Sequence, residues 1–260
     1  MMSIQPLDGL PLSATYLFTV ILLLLSLEAG YQLGKAKQKR WPDKSESGVS
    51  AMVGASLALL GFLLAFVTGI AIGVFNDRRQ LVITEANAIG TTYLRAGFLA
   101  EPYQSESRQL LREYVNLRLA ALNKEQTSQS IARSEEIHLE LWSRAEVVGT
   151  ESPNPVIAQY ISSLNDVIDL HTMRVNAELG FRVPPTIVLG LYFVAALTMV
   201  LVGLHSSYAE KRNLVSQIMM VLILSVIFLL IVDLDRSHQG LLRIPQDALL
   251  ALQQQLNDVP

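Results

Sequence analysis

Four long apolar runs, about residues 14–34, 49–75, 186–204 and 214–232, punctuate a chain that is otherwise mixed in polarity. Each approaches or exceeds the roughly 20 residues an α-helix needs to cross a hydrocarbon core. They predict four transmembrane helices. Between the second and third lies a polar region, 76–183, whose apolar residues recur three and four apart: Leu110, Leu111, Tyr114, Val115 and Leu119; then Ile137, Leu141, Ala145 and Val148; then Ile157, Ile161, Leu164, Ile168, His171 and Val175. That period belongs to amphipathic helices with one buried seam each. Asn154-Pro155, after a loop at 149–153, supplies an N-cap and a first-turn proline for the last of them. Pro184-Pro185 opens the third span in the same way, and Ile244-Pro245 opens a short helix with Leu249, Leu252 and Leu256 on one face. The predicted fold is an all-α membrane protein: four transmembrane helices, a helical-bundle extramembrane domain inserted between the second and third, and a C-terminal amphipathic helix. The expected divisions are 1–75, including a basic loop at 35–48, then the bundle 76–183, the second pair of spans 184–236, and the tail 237–260.

The second span is the one around which the others must be placed. Gly54, Ala58, Gly61, Ala65, Gly69 and Gly73 form a small-residue stripe along one side, expected to admit the backbone of a neighbouring helix. Phe62 and Phe66, one turn apart and off that stripe, offer an aromatic ridge to another helix, to lipid or to a lumen.

Composition agrees with a membrane protein: 51% of residues are hydrophobic and only 17% charged. A net charge of -3 gives no concentrated basic surface for nucleic acid. With no cysteine there is neither a disulfide framework nor a thiolate site. The first run lacks a basic segment before it and so reads as a retained anchor rather than a cleaved signal. Lys35, Lys37, Lys39, Arg40, Lys44, Lys211 and Arg212 lie in the two short loops, against Arg236 and Arg243 toward the other side. That bias puts both loops in the cytoplasm and both termini and domain 76–183 outside, across a bacterial inner membrane. Trp41-Pro42 in the first loop reads as an interfacial anchor. Glu28, at the polar end of the first span beside Tyr31 and Gln32, reads either as a buried ion site or as a carboxylate at headgroup level.

No catalytic constellation is present. Glu135-Glu136-Ile137-His138 holds one Glu-x-x-His spacing where a carboxylate-bridged metal pair needs two. His171 falls on an apolar seam as a core histidine, and His205 and His238 fall in loops. Phosphate loops, zinc-protease helices and nucleophile elbows are absent, so neither an enzyme, a metal nor a cofactor is expected. Glu85 and Arg95, ten residues apart on one helix, stand about 80° out of alignment and must find partners elsewhere. Asp233, Asp235 and Arg236, just beyond the last span, are the expected ones. Together with Tyr93 they make either an ion vestibule, in which Arg95 attracts anions, or an architectural ion-pair network.

The run Thr84-Glu85-Ala86-Asn87-Ala88-Ile89-Gly90-Thr91-Thr92-Tyr93-Leu94-Arg95-Ala96 resembles a motif of the bestrophin-like domain family. Arg182-Val183-Pro184-Pro185 before a span, and Asp233-Leu234-Asp235-Arg236 with Gly240 after the last one, resemble it too. Ser237-His238 departs from the pattern where a proline is expected. The resemblance implies distant kinship with bestrophins, pentameric anion channels with four membrane helices and a phenylalanine-lined constriction on the second. It implies a homo-oligomer, a pentamer by analogy, passing inorganic anions, with Phe62, Phe66 and Arg95 as pore candidates. It also implies a cytoplasmic bundle, opposite to the charge bias. The competing reading is a nonconducting membrane scaffold or sensor whose bundle binds a partner.

Overall fold

The computed structural model describes residues 10–40, 48–120, 127–180, 182–209, 212–236 and 240–258. They form α1 (Leu12–Arg40), α2 (Val49–Ala96), α3 (Tyr103–Ala120), α4 (Thr127–Glu151), α5 (Pro155–Leu179), α6 (Pro185–Ser206), α7 (Leu214–Asp235) and α8 (Asp247–Asp258), with no strand among the described residues. Four of these, α1, α2, α6 and α7, are long and apolar enough to span a membrane. The chain divides into two compact units, Met1–Phe75 with Arg182–Leu242, and Asn76–Phe181 with Arg243–Pro260. Trp41, Pro42, Lys44, Lys211, Ser237 and His238, singled out above, lie outside the described residues.

In the membrane unit the closest packing joins α1 to α6, and glycine is the reason. A Cβ on Gly203 would land on the Leu27 carbonyl oxygen and sit 2.8 Å from Tyr31 N, while one on Gly30 would land on the Val200 carbonyl. Gly34, one turn on, leaves room for the Ser207 hydroxyl. Gly30-x-x-x-Gly34 is thus the small-residue pair at which two backbones meet. The stripe on α2 does not play that role within the chain. There the buried seam is Val53, Leu60, Leu64, Val67 and Ala71, which packs into a core with Leu23, Leu27, Leu191, Ala195, Met199, Val221 and Phe228. Thr19 Oγ1 and Tyr192 OH share a hydrogen bond of 2.8 Å, and the Tyr192 ring stacks on Phe228 at 4.4 Å.

The basic loop begins later than expected. Lys35 to Arg40 continue α1, because Lys, Gln, Arg and Ala favour helix and their charge complements its C-terminal dipole. His205 likewise belongs to α6, and Gly149 to α4, where it meets Ile161.

The second unit gathers α3, α4, α5 and α8 with the polar part of α2. Asn154 caps α5, its side-chain oxygen accepting from Val156 N at 2.9 Å and Ile157 N at 3.0 Å. The α5 seam is rotated from the one read in sequence. Ile157, Leu164 and His171 are buried, but Tyr160, Val167 and Arg174 flank them and Ile161, Ile168 and Val175 are only half-buried. The tail joins this bundle: α8 buries Leu249, Leu252 and Leu256, and Arg112 Nε donates to the Leu256 carbonyl at 3.0 Å.

Candidate functional site

On α2 the buried seam uses Val and Leu, which leaves the small residues and the phenylalanines on the helix's open side. At 3.6 residues per turn the centre of each set lies about 140–150° around the helix from the centre of that seam, with Gly61 and Gly54 the nearest to it at about 90–110°. A Cβ at Gly54, Gly61, Gly69 or Gly73 would meet nothing within 4 Å, and Ala58 and Ala65 are exposed. Phe62 is 67% exposed and Phe66 59%. One thin-walled, aromatic-ridged face therefore remains unpartnered among the described residues. Within the subunit the core forms on the seam instead, because its branched residues bury more apolar area.

Beyond the span, α2 and α5 flank an open groove of ≈ 490 Å³ walled by Thr84, Asn87, Thr91 and Arg95 on one side and Ser163, Asp166 and Asp169 on the other. Arg95 Nη1 donates to the Gln159 carbonyl at 2.8 Å. Asp166 and Asp169 share the lining of this open groove with Arg95, a set of polar groups that can bind and exchange hydrated ions.

Glu85 is the centre of a different constellation. It sits on the buried side of α2, wholly enclosed, and is met by Arg118 Nε at 3.3 Å, by Arg174 Nη1 in a short ion pair, and by Tyr114 OH at 2.6 Å. Arg174 also donates to Glu178 at 3.0 Å and Gln246 at 3.0 Å. His171 Nδ1 lies 3.0 Å from Tyr114 OH, and the His138 ring stands edge-on to His171 at 4.8 Å. Because the Tyr114 hydroxyl hydrogen is engaged by Glu85, His171 Nδ1 carries the proton of their contact. Burial first, and the Glu85 charge second, push the Tyr114 hydroxyl well above the ordinary phenol range, so it remains a donor. Burial first, and the neighbouring His171 second, depress His138 to about 3; burial first and Arg118 second depress His171 to about 4. Both rings are neutral at pH 7. Two guanidiniums and two carboxylates balance the interior charge.

Glu85 thus takes its partners from α3 and α5 in its own unit, and not from the end of the last span. Tyr93 is also buried in this unit, with the Arg108 and Arg112 guanidiniums 5.0 Å and 5.3 Å from its ring centre. Asp233, Asp235 and Arg236 organise the membrane unit instead. Asp233 accepts from Leu241 N at 2.7 Å and Leu242 N at 3.1 Å, with Gly240 so close that a Cβ there would strike its carboxylate. Asp235 accepts from Val183 N at 2.8 Å, and Arg236 Nη2 lies 3.4 Å from Thr15 Oγ1. In each unit these residues stitch together chain segments distant in sequence. Arg118, Arg174, Tyr114 and His138 were not predicted. The available signal was a charged residue at a seam position in each of two helices, Arg118 four after Tyr114 and Arg174 three after His171.

The family model described as Bestrophin-like domain matches residues 20–249. Among solved structures, a bacterial bestrophin homologue from Klebsiella pneumoniae is similar at 13% identity, covering 94% of this chain and 96% of that one with a TM-score of 0.66. A single-substitution form of that homologue gives 14% identity, 94% and 97% coverage, and a TM-score of 0.64. No curated protein matches the sequence. With four spans flanking a helical bundle and the family model covering nearly all of it, the chain belongs to the Bestrophin-like domain family.

Proposed function

We propose that the protein is a homo-oligomeric ion channel in which the open face of α2 lines the pore, Phe62 and Phe66 form a hydrophobic constriction, and inorganic anions permeate. The observation that carries this reading is the exposure of both phenylalanines on the same open side of α2 as the row of small residues. Lipid accepts phenylalanine readily but gives no reason for four glycines, each of which costs a helix about 1 kcal/mol relative to alanine. Copies of one helix brought together around an axis do need a thin wall. A ring of phenylalanines then gates by dewetting, and Arg95, at the groove beyond the span, supplies the attraction for anions.

Proteoliposomes holding the purified oligomer test this. Phe62→Ala is expected to raise chloride flux about tenfold, equivalent to lowering the barrier by ~1.4 kcal/mol, and the reversal potential in a potassium chloride gradient is expected to follow chloride. A reversal that follows potassium removes the anion assignment and keeps the pore. Flux at the level of empty vesicles, from a folded oligomer, favours the nonconducting scaffold.

The same reading sets the protein in a bacterial inner membrane with the basic segments in the cytoplasm and the bundle outside, on the strength of the charge bias. The chain has no cysteine, so Ser152→Cys, exposed at the end of α4, gives a single reporter. Labelling of intact spheroplasts by an impermeant maleimide is the expected result. Labelling only after permeabilisation reverses the orientation.

A further inference from the structure

Glu28, Arg212 and Gln217 meet at one end of a groove of ≈ 270 Å³ between α1 and α7. Arg212 Nη1 donates to Glu28 Oε2 at 2.7 Å, its Nε donates to Gln217 Oε1 at 3.0 Å, and its guanidinium carbon lies 4.2 Å from the Tyr31 ring centre. The head is thereby held in one orientation, with Nη2 lacking a hydrogen-bond partner among the described residues. Lys35 Nζ stands 5.6 Å from the same ring, so a second cation lies near the Arg212 head. Glu28 Oε1 also accepts from Gln32 Nε2 at 2.6 Å, and with the side chain 44% exposed the carboxylate keeps lone pairs open to a second cation.

One turn deeper into the span everything is apolar: Leu24 and Leu25 on α1, Ile218 on α7. The charged end marks headgroup depth, since α7 begins at Leu214 and α1 continues past Glu28 into its basic last turns. That placement favours, of the two roles read from the sequence for Glu28, the interfacial carboxylate.

We propose that this groove is a binding site for a phospholipid whose phosphodiester accepts from Arg212 Nη2 and whose primary ammonium donates to Glu28, with an acyl chain along Leu24, Leu25 and Ile218. Charge complementarity selects this occupant. A phosphodiester alone leaves the remaining lone pairs of the exposed Glu28 carboxylate unused, and a trimethylated ammonium has no hydrogen to give them. A primary ammonium headgroup meets both ends. The site differs from the α2 face and does not depend on conduction.

Native mass spectrometry of the full chain in detergent, titrated in turn with phosphatidylethanolamine, phosphatidylcholine and phosphatidylglycerol, reads the occupancy. Phosphatidylethanolamine is expected to be retained about tenfold better than phosphatidylcholine, the scale of one or two charge-assisted hydrogen bonds. Glu28→Gln is expected to erase that preference, and Arg212→Ala to weaken retention of all three lipids. Ile218→Trp, at an exposed apolar position, fills the groove without touching a charge and is expected to reduce retention of phosphatidylethanolamine in a folded protein. Equal retention of the three lipids by the wild type overturns the proposal, as does preference for phosphatidylglycerol or unchanged retention in folded Ile218→Trp.

Discussion

Replacing Glu85 by alanine is expected to destabilise the helical bundle by ~3–5 kcal/mol, the cost of breaking a buried ion pair from one side. Arg118 and Arg174 are both almost fully enclosed, and without the carboxylate they face each other's charge with only Glu178 left to offset them. Tyr114 loses its acceptor at the same time. A loss of that size is a large share of the ~5–15 kcal/mol that holds a typical domain together. Thermal unfolding of the full chain in detergent, followed by helical circular dichroism, measures it. Arg133→Ala is the comparison: that residue also bridges three carboxylates, Glu113, Glu136 and Glu140, but at the surface, where water screens the charges and such pairs contribute little. If Glu85→Ala unfolds no earlier than Arg133→Ala, the buried cluster is not what holds α2, α3 and α5 together. Adding Arg174→Met to Glu85→Ala is expected to recover part of the loss, because it removes one uncompensated charge.

Gly203→Leu is expected to prevent the membrane unit from assembling. Even the first carbon of a side chain at this position lands on the Leu27 carbonyl, and backbone cannot swing aside as a flexible side chain does. Either α6 withdraws from α1, giving up the dispersion contacts that drive helix association in lipid, or the helices bend. Gly203→Ala is expected to cost ~3 kcal/mol or more, at the upper end of overpacking penalties. Gly61→Ala, where a Cβ meets nothing, leaves the subunit fold unchanged. Size-exclusion profiles and thermal aggregation of the three variants rank them. A Gly203→Ala protein as stable as Gly61→Ala would show that the α1–α6 contact is looser than the structure has it.

The two predictions differ in how far they could be read from sequence. Glycines are visible everywhere in the apolar runs, but the sequence pattern drew attention to α2, where six small residues line up, rather than to Gly30, Gly34 and Gly203. A stripe identifies a face that permits close approach; it does not say which neighbour arrives. On α2 the core formed instead on Leu60, Leu64 and Val67, and the stripe stayed open among the described residues. Glu85 was recognised as needing partners, yet the partners read from sequence were the charged residues nearest a membrane end, and the actual ones sit on seams that periodicity treats as apolar. A period locates a buried face and is blind to an ion pair hidden in it.

By itself the sequence determined the four spans, the helical bundle between them and the amphipathic end of the chain, because transfer of about 20 apolar residues into lipid and the helical repeat of buried residues are local properties, written in consecutive positions. Only the tertiary structure decided the pairings: Glu85 with Arg118 and Arg174, Asp233 with the turn at Gly240, Asp235 with Val183, and Glu28 with Arg212. Each joins residues from different segments of the chain. Charged groups taken from water must each find an opposite, and which opposite is within reach depends on how the helices dock, which no single segment of the chain specifies.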